Sequence, residues 1–195
     1  QIYERTILFA DLRGSTSLYE TLGNAEASAV VTQSVALMAR IVDASGGKVV
    51  KTLGDGLMAM FAAAPAGVAA AVEMHEELER WDGPVRDGVR LRLQPPKLQV
   101  ALAHGEVVEL SGDVFGDAVN VAARLLDHAG DNETLATQTV VDGLDVAERV
   151  RFRSLDRMQL RGRVEPVHVH LLEPARRFGD TEATMFGEIL AAPVP

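Results

Sequence analysis

The sequence contains no cysteine. That excludes thiolate catalysis and disulfides, and it fits a reducing compartment, so a cytoplasmic location is expected. Positive charge is in deficit: 19 Lys and Arg against 28 Asp and Glu leave a net charge of −9. An acidic chain of this kind has no electrostatic basis for non-specific binding to nucleic acid or to an anionic membrane. A long uninterrupted apolar run is also missing. The longest, Leu57 to Val72, contains Pro65 and Gly67 and falls short of a membrane span, so no direct membrane contact is expected. Histidines with ligand spacing are absent too: His104 is isolated, and His168 and His170 alternate on an expected strand. No internal repeat, low-complexity tract or signal peptide is visible. The chain starts at Gln1 rather than Met, which leads us to expect a piece cut from a longer protein, with a regulatory domain attached elsewhere.

What is present is enough for one good core: 195 residues, 47% of them apolar. We expect a single domain over residues 1–175 and a linker or tail over 176–195, where patterning is weak and two prolines come late. Thr6–Ala10 reads as a buried strand, Ser17–Leu22 as a short helical turn, and Ala25–Ala44 as a long helix ended by Ser45-Gly46-Gly47. Lys48–Leu53 and Leu57–Phe61 flank Gly54-Asp55-Gly56, a strong hairpin signal. Pro65–Trp81 is a second long helix with proline in its first turn. Residues 82–97 read as a protruding arm. Leu98–Ala103 and Glu106–Leu110 read as two strands around His104-Gly105, and Asp117–His128 as a helix. Later strands are expected at Glu133–Ala136, Val150–Leu155 and Val164–Leu172. Strands alternating with long helices, plus a hairpin, indicate an α+β sandwich with helices on one sheet face.

Two aspartates stand out. Asp11 follows Ile7-Leu8-Phe9-Ala10 and precedes Leu12-Arg13-Gly14-Ser15-Thr16; Asp55 sits between Gly54 and Gly56. A carboxylate at a strand end beside a glycine turn lies at a sheet rim with backbone N–H groups nearby. Two such carboxylates on adjacent strands can share divalent cations, and the glycine turn can cradle phosphate. The pattern points to metal-dependent chemistry on a nucleoside triphosphate. Taken alone, Asp11 reads more readily as a helix N-cap or turn residue, and Lys51 as a lysine snorkelling to solvent from a strand end. Asp117, just before its helix, reads as an N-cap. Met58, Met60, Phe61 and Trp81 read as core or interface, and Glu76, Glu77 and Glu79 as a solvated helix face.

Four segments in order carry a family resemblance: Leu8-Phe9-Ala10-Asp11-Leu12-Arg13-Gly14-Ser15-Thr16, Lys51-Thr52-Leu53-Gly54-Asp55-Gly56, Gly112 through Phe115-Gly116-Asp117 to Asn120 and Arg124-Leu125, and, more weakly, Leu160-Arg161-Gly162-Arg163-Val164-Glu165-Pro166-Val167. Over residues 5–172 the chain resembles the catalytic domain of class III nucleotidyl cyclases, the adenylyl and guanylyl cyclases, of bacterial type. The resemblance implies a ferredoxin-like βαββαβ core with an antiparallel-rich sheet. It also implies a head-to-tail homodimer with active sites at the interface, and two Mg²⁺ or Mn²⁺ ions per site. Asp11, Asp55 and the backbone carbonyl of Leu12 would hold the metals. Lys51 and Asp113 would recognise the base, Asn120 and Arg124 would stabilise the transition state, and Gly14, Ser15, Thr16 and Arg161 would bind the phosphates. The first loop departs from the family's usual Gly-Phe-Thr, and the family often has lysine where Arg161 stands. The short connection from Gly105 to Gly112 leaves no room for a large hairpin.

The chemistry of these types fits. Adenine offers an acceptor at N1 and a donor at its 6-amino group, which a Lys donor and an Asp acceptor match; guanine offers the reverse. Mismatched buried polar groups cost roughly 1–3 kcal/mol each, so ATP is the expected substrate. Asn120 and Arg124 are spaced i, i+4 and project from one helix face. Three other readings stay open: a guanylyl cyclase, disfavoured by Lys51 and Asp113; a catalytically weak nucleotide-binding regulatory domain; and another palm-fold enzyme such as a diguanylate cyclase, whose Gly-Gly-Asp-Glu-Phe signature is missing.

Overall fold

Strand β1 (Ile2–Arg13) organises the molecule because it pairs along its whole length with β6 (Lys97–Leu110), from Ile2 opposite Val108 to Arg13 opposite Lys97. The computed structural model describes residues 1–91 and 93–174; the tail expected at 176–195 lies outside the described residues. This long ladder corrects two expectations. β1 runs well beyond Thr6–Ala10, because backbone pairing continues where side chains turn polar. β6 runs straight through His104-Gly105, where two strands were expected; Gly105 simply sits opposite Arg5.

After β1 come α1 (Ser15–Leu22), α2 (Asn24–Ala44), β2 (Lys48–Thr52), β3 (Gly56–Phe61) and α3 (Ala64–Glu79). Pro65 lies in the first turn of α3, as its fixed φ favours. The arm holds only a small hairpin, β4 (Val85–Arg86) with β5 (Val89–Arg90), turned at Asp87-Gly88. Leu110 pairs directly with Asp113, so β6 returns through a two-residue turn, Ser111-Gly112, into β7 (Asp113–Phe115). Then follow α4 (Asp117–Leu126), β8 (Thr134–Thr137), two short helices α5 (Gln138–Asp142) and α6 (Val146–Arg149), β9 (Phe152–Met158) and β10 (Val167–Leu172). The short β7, α5 and α6 carry too little periodicity to be legible in sequence.

The main sheet has eight strands in the order β2-β3-β1-β6-β8-β10-β9, with β7 paired to β6. Its first four strands, β2-β3-β1-β6, are antiparallel and make the ferredoxin-like βαββαβ core. The long helices α2 and α3 pack on one face. There Leu8, Ala10 and Leu12 of β1 meet Met38, Ile41 and Val42 of α2 and Ala71 and Met74 of α3. α2 is the one described helix long and apolar enough to cross a membrane, but these apolar side chains are spent on the core. Alternate residues of β1, Ile7 and Phe9, point to the other face and pack with Val121, Ala122 and Leu125 of α4. A third, smaller cluster joins Leu18, Leu22 and Val30 to Trp81, Leu91 and Leu93, seating the arm on α1 and α2.

Candidate active site

Asp11 ends the stretch of β1 paired with β3, opposite Gly56. The intervening β2–β3 turn places Asp55 beside it, and Leu12 N–H donates to the Asp55 carbonyl at 2.9 Å. Gly56 permits this approach: a Cβ there would lie 2.2 Å from the Ala10 carbonyl oxygen and 3.1 Å from the Asp11 Cα. Asp11 caps no helix; the residue before α1 is Gly14, in a left-handed conformation. Burial first, then the neighbouring Asp55 carboxylate, push the Asp11 carboxyl up to about 6, against the opposing pull of Arg13. Arg13 Nε lies 3.2 Å from Asp11 Oδ2. Sequence reasoning missed this partner, although residues i and i+2 of a strand share a face.

Two neighbouring carboxylates, the second raising the proton affinity of Asp11, are a natural seat for a divalent cation, which relieves the repulsion. The N–H and C=O of a strand residue point to the same edge, so the Leu12 carbonyl shares the edge whose N–H meets Asp55. Among the described residues no cluster of three or more His, Asp or Glu forms. Hard oxygen donors limited to two carboxylates and a carbonyl suit Mg²⁺ or Mn²⁺, which complete their shells with water and phosphate oxygens.

Lys51 and Asp113 come together although 62 residues apart. Lys51 Nζ donates to both Asp113 oxygens, at 3.2 and 3.1 Å. A second pair, Lys48 Nζ to Glu109 Oε1 at 3.1 Å, also links β2 to the β6–β7 hairpin. The N–H of Val114 donates to Asp113 at 2.7 Å. That bond first, then Lys51, hold the Asp113 carboxyl below the usual carboxylate range. Leu53, Leu110 and Phe115 on the same two hairpins remain exposed.

Gly14 forms the N-terminal turn of α1, with Ser15 and Thr16 in its first turn. No side chain caps that end, so its free N–H groups are available to an anion. Asn120 and Arg124 lie on the exposed side of α4, opposite its buried Ala118, Val121, Ala122 and Leu125. Among the described residues neither makes a side-chain hydrogen bond or ion pair, and none links them to Asp11 or Asp55. The structure therefore brings together Asp11 with Asp55 and Lys51 with Asp113, and leaves Asn120, Arg124 and Arg161 exposed and unbonded to either pair. Asp117 is not the N-cap it was expected to be. Gly116 takes that position, because the chain turns there with φ 134°, and Asp117 sits in the first turn, bonded to Arg163.

Comparison with known proteins bears on the family and the fold. The sequence model of the adenylate and guanylate cyclase catalytic domain matches residues 1–174. An adenylate cyclase of Anabaena cylindrica is 30% identical over 85% of this chain and 36% of its own length. One from Streptomyces coelicolor is 34% identical over 74% of this chain and 34% of its own. The chain thus spans about a third of the length of these curated relatives. Among solved structures, the adenylyl cyclase CyaB from P. aeruginosa superposes with a TM-score of 0.75 at 20% identity, covering 91% of this chain and 97% of that one. An adenylate/guanylate cyclase/hydrolase from Silicibacter pomeroyi gives 0.70 at 26% identity, covering 90% and 99%. With the family's sequence model matching residues 1–174, the chain belongs to the adenylate and guanylate cyclase catalytic-domain family.

Proposed function

We propose that this domain is an adenylyl cyclase that converts ATP to 3′,5′-cyclic AMP and pyrophosphate. The observation that carries the choice of ATP is the Lys51–Asp113 pair: a donor and an acceptor held side by side at 3.1 Å, the complement of adenine rather than guanine. In the reaction the ribose 3′-oxygen forms a bond to the α-phosphorus. The bond from that phosphorus to the β-phosphate oxygen breaks, pyrophosphate leaves with the electron pair, and the 3′-hydroxyl proton is released. Arg124 neutralises charge growing on the α-phosphoryl oxygens, a contact whose loss typically costs about 10²–10³ in rate. Asn120, one helical turn away, orients the ribose. The free N–H groups around Gly14, Ser15 and Thr16 hold the β- and γ-phosphates, with Arg161 reaching the same triphosphate. Asp11, Asp55 and the Leu12 carbonyl would hold two Mg²⁺ or Mn²⁺ ions, which when bound acidify the 3′-hydroxyl and neutralise the leaving phosphates.

Among the described residues Asn120 and Arg124 make no side-chain bond to Asp11 or Asp55, which leaves them available to a site completed by a second copy. In an isologous homodimer the carboxylates of one protomer meet α4 of its partner, and two equivalent sites form. The exposed Leu53, Leu110 and Phe115 give such an interface apolar contacts. We place the domain in the cytoplasm, where ATP is available, joined to a regulatory domain in the full-length protein.

The test is incubation with Mn²⁺ and either ATP or GTP, with the cyclic product identified by mass. Cyclic AMP from ATP in excess over cyclic GTP from GTP is the expected result. The reverse ratio moves the assignment to a guanylyl cyclase, and no cyclic product from either overturns catalysis. For the shared site, Asp11→Ala and Arg124→Ala are each expected to be silent, and their mixture to regain activity as heterodimers carry one intact site. Silence of the mixture while subunits exchange would overturn the shared site.

A further inference from the structure

Arg161 reaches solvent from a turn that stands on α4 with both feet. Leu160, just before it, is buried to 1% exposure in the same cluster as Val121 and Leu125 of α4. Arg163, just after it, donates from Nη1 to Asp117 in the first turn of α4. The turn between these feet is closed by Arg163 N–H donating to the Leu160 carbonyl at 3.1 Å. Gly162 takes φ 83°, which puts Arg161 and Gly162 at the two central positions of a type II turn. Gln159 Nε2 donates to the carbonyls of Arg163 and Val164 and braces the exit. Arg163 Nε is enclosed and finds no partner among the described residues, so this guanidinium is set down in a fixed place rather than roaming in solvent. Asp117 suits the role, because a carboxylate in the first turn is already favoured by the helix N-terminus.

The consequence is geometric. α4 carries Asn120 and Arg124 one and two turns beyond Asp117, and the tethered turn carries Arg161. We infer that Arg163 and Asp117 are positioning residues, which with Leu160 hold Arg161 on the same rigid body as Asn120 and Arg124. Three nucleotide-facing groups are then presented as one unit. This rests on the reading of Arg161, Asn120 and Arg124 given above. The pair is half-exposed and adds little to global stability, so its effect is local.

The test combines kinetics with a readout that needs no turnover. Arg163→Ala and Asp117→Asn are expected to raise KM for ATP by about tenfold with kcat within about twofold, as loss of a contact made equally in ground and transition states does. Melting is expected to move by no more than about 2–4 °C. Arg163→Lys, which keeps the charge, is expected to recover most of the loss. Placed on an Arg161→Ala background, Arg163→Ala should add nothing; additive losses overturn the inference. Hydrogen exchange reads the tether directly. Amides of residues 160–165 should exchange faster in Arg163→Ala and Asp117→Asn while those of β1 and α2 are unchanged. Wild-type exchange in both variants overturns the tether. If the wild-type domain forms no cyclic nucleotide, the cyclase reading falls, and the exchange result still decides whether Arg163 and Asp117 fix the turn.

Discussion

The two faces of one sheet are built to different ends, and β1 shows it residue by residue. Its even positions, Leu8, Ala10 and Leu12, enter a broad core closed by α2 and α3. Its odd positions, Ile7 and Phe9, enter a second core under α4, and the next odd position is Asp11. The first face is sealed by two long helices. The second is covered by a ten-residue helix whose exposed side holds Asn120 and Arg124. Strand alternation thus divides β1, and a step of one residue crosses from the α2–α3 core to the side that carries Asp11.

The sharpest way to break this comparison is to cut each face at β1. Asp11→Ala is expected to lower turnover by about a thousandfold or more while the fold survives. Leu8→Ala, three residues away, should cost about 2–5 kcal/mol of stability, since it opens a cavity among fully buried neighbours. Turnover and thermal melting measured on both variants check the contrast. A stable but inactive Leu8→Ala, or an unfolded Asp11→Ala, would show that the faces are not divided in this way.

A finer cut falls at Gly56. A methyl group there meets the Ala10 carbonyl oxygen at 2.2 Å, and that atom belongs to backbone which cannot step aside. Gly56→Ala should push the Asp55 turn away from Asp11 and lower activity by roughly tenfold to a hundredfold. The strain should cost about 1–3 kcal/mol. Full activity would mean that Asp55 need not stand against Asp11.

Much of this division was legible in the sequence. Asp11 and Asp55 were recognisable because apolar runs and glycines frame them. Local signals failed where pairing at long range decides. Nothing within Glu106–Phe115 reveals that β6 continues past Gly105, since the cause is β1 lying alongside. The meeting of Lys51 with Asp113 needs the β6–β7 hairpin to reach β2, and β7 is three residues long. The Arg163–Asp117 bond joins residues 46 apart and leaves no periodic trace. Arg13 beside Asp11 was within reach, because alternation alone places the two on one side.

The proposed base-reading pair, Lys51 with Asp113, sharpens the comparison at the level of specificity. Lys51→Glu with Asp113→Cys exchanges the donor for an acceptor and removes the opposing acceptor. The ratio of kcat/KM for ATP over GTP should fall by about tenfold to a hundredfold. An unchanged ratio would place base recognition outside the β2–β7 contact.

The smallest expected effect separates the faces by pH. On the structural side, His75 of α3 hydrogen-bonds through Nε2 to Thr134 Oγ1 at 2.7 Å, and burial lowers its pKa from 6.5 to about 4. A histidine held neutral in the folded state contributes stability that is complete above its unfolded value and is lost as pH falls through the folded one. Melting of the wild type should therefore decline between pH 6.5 and 4 by roughly 5 °C more than that of His75→Gln. On the chemical side the sign reverses. Asp11 is raised to about 6, so its ionisation opposes folding, and the penalty grows as pH rises from 4 through 6. Without divalent cation, Asp11→Asn should melt above the wild type at pH 8 and match it at pH 4. Melting curves at pH 4, 6 and 8 for these three proteins settle both signs. If His75→Gln followed the wild type in acid, the His75 ring would be charged in the folded state, and the α3 face would no longer be the dry side of the sheet.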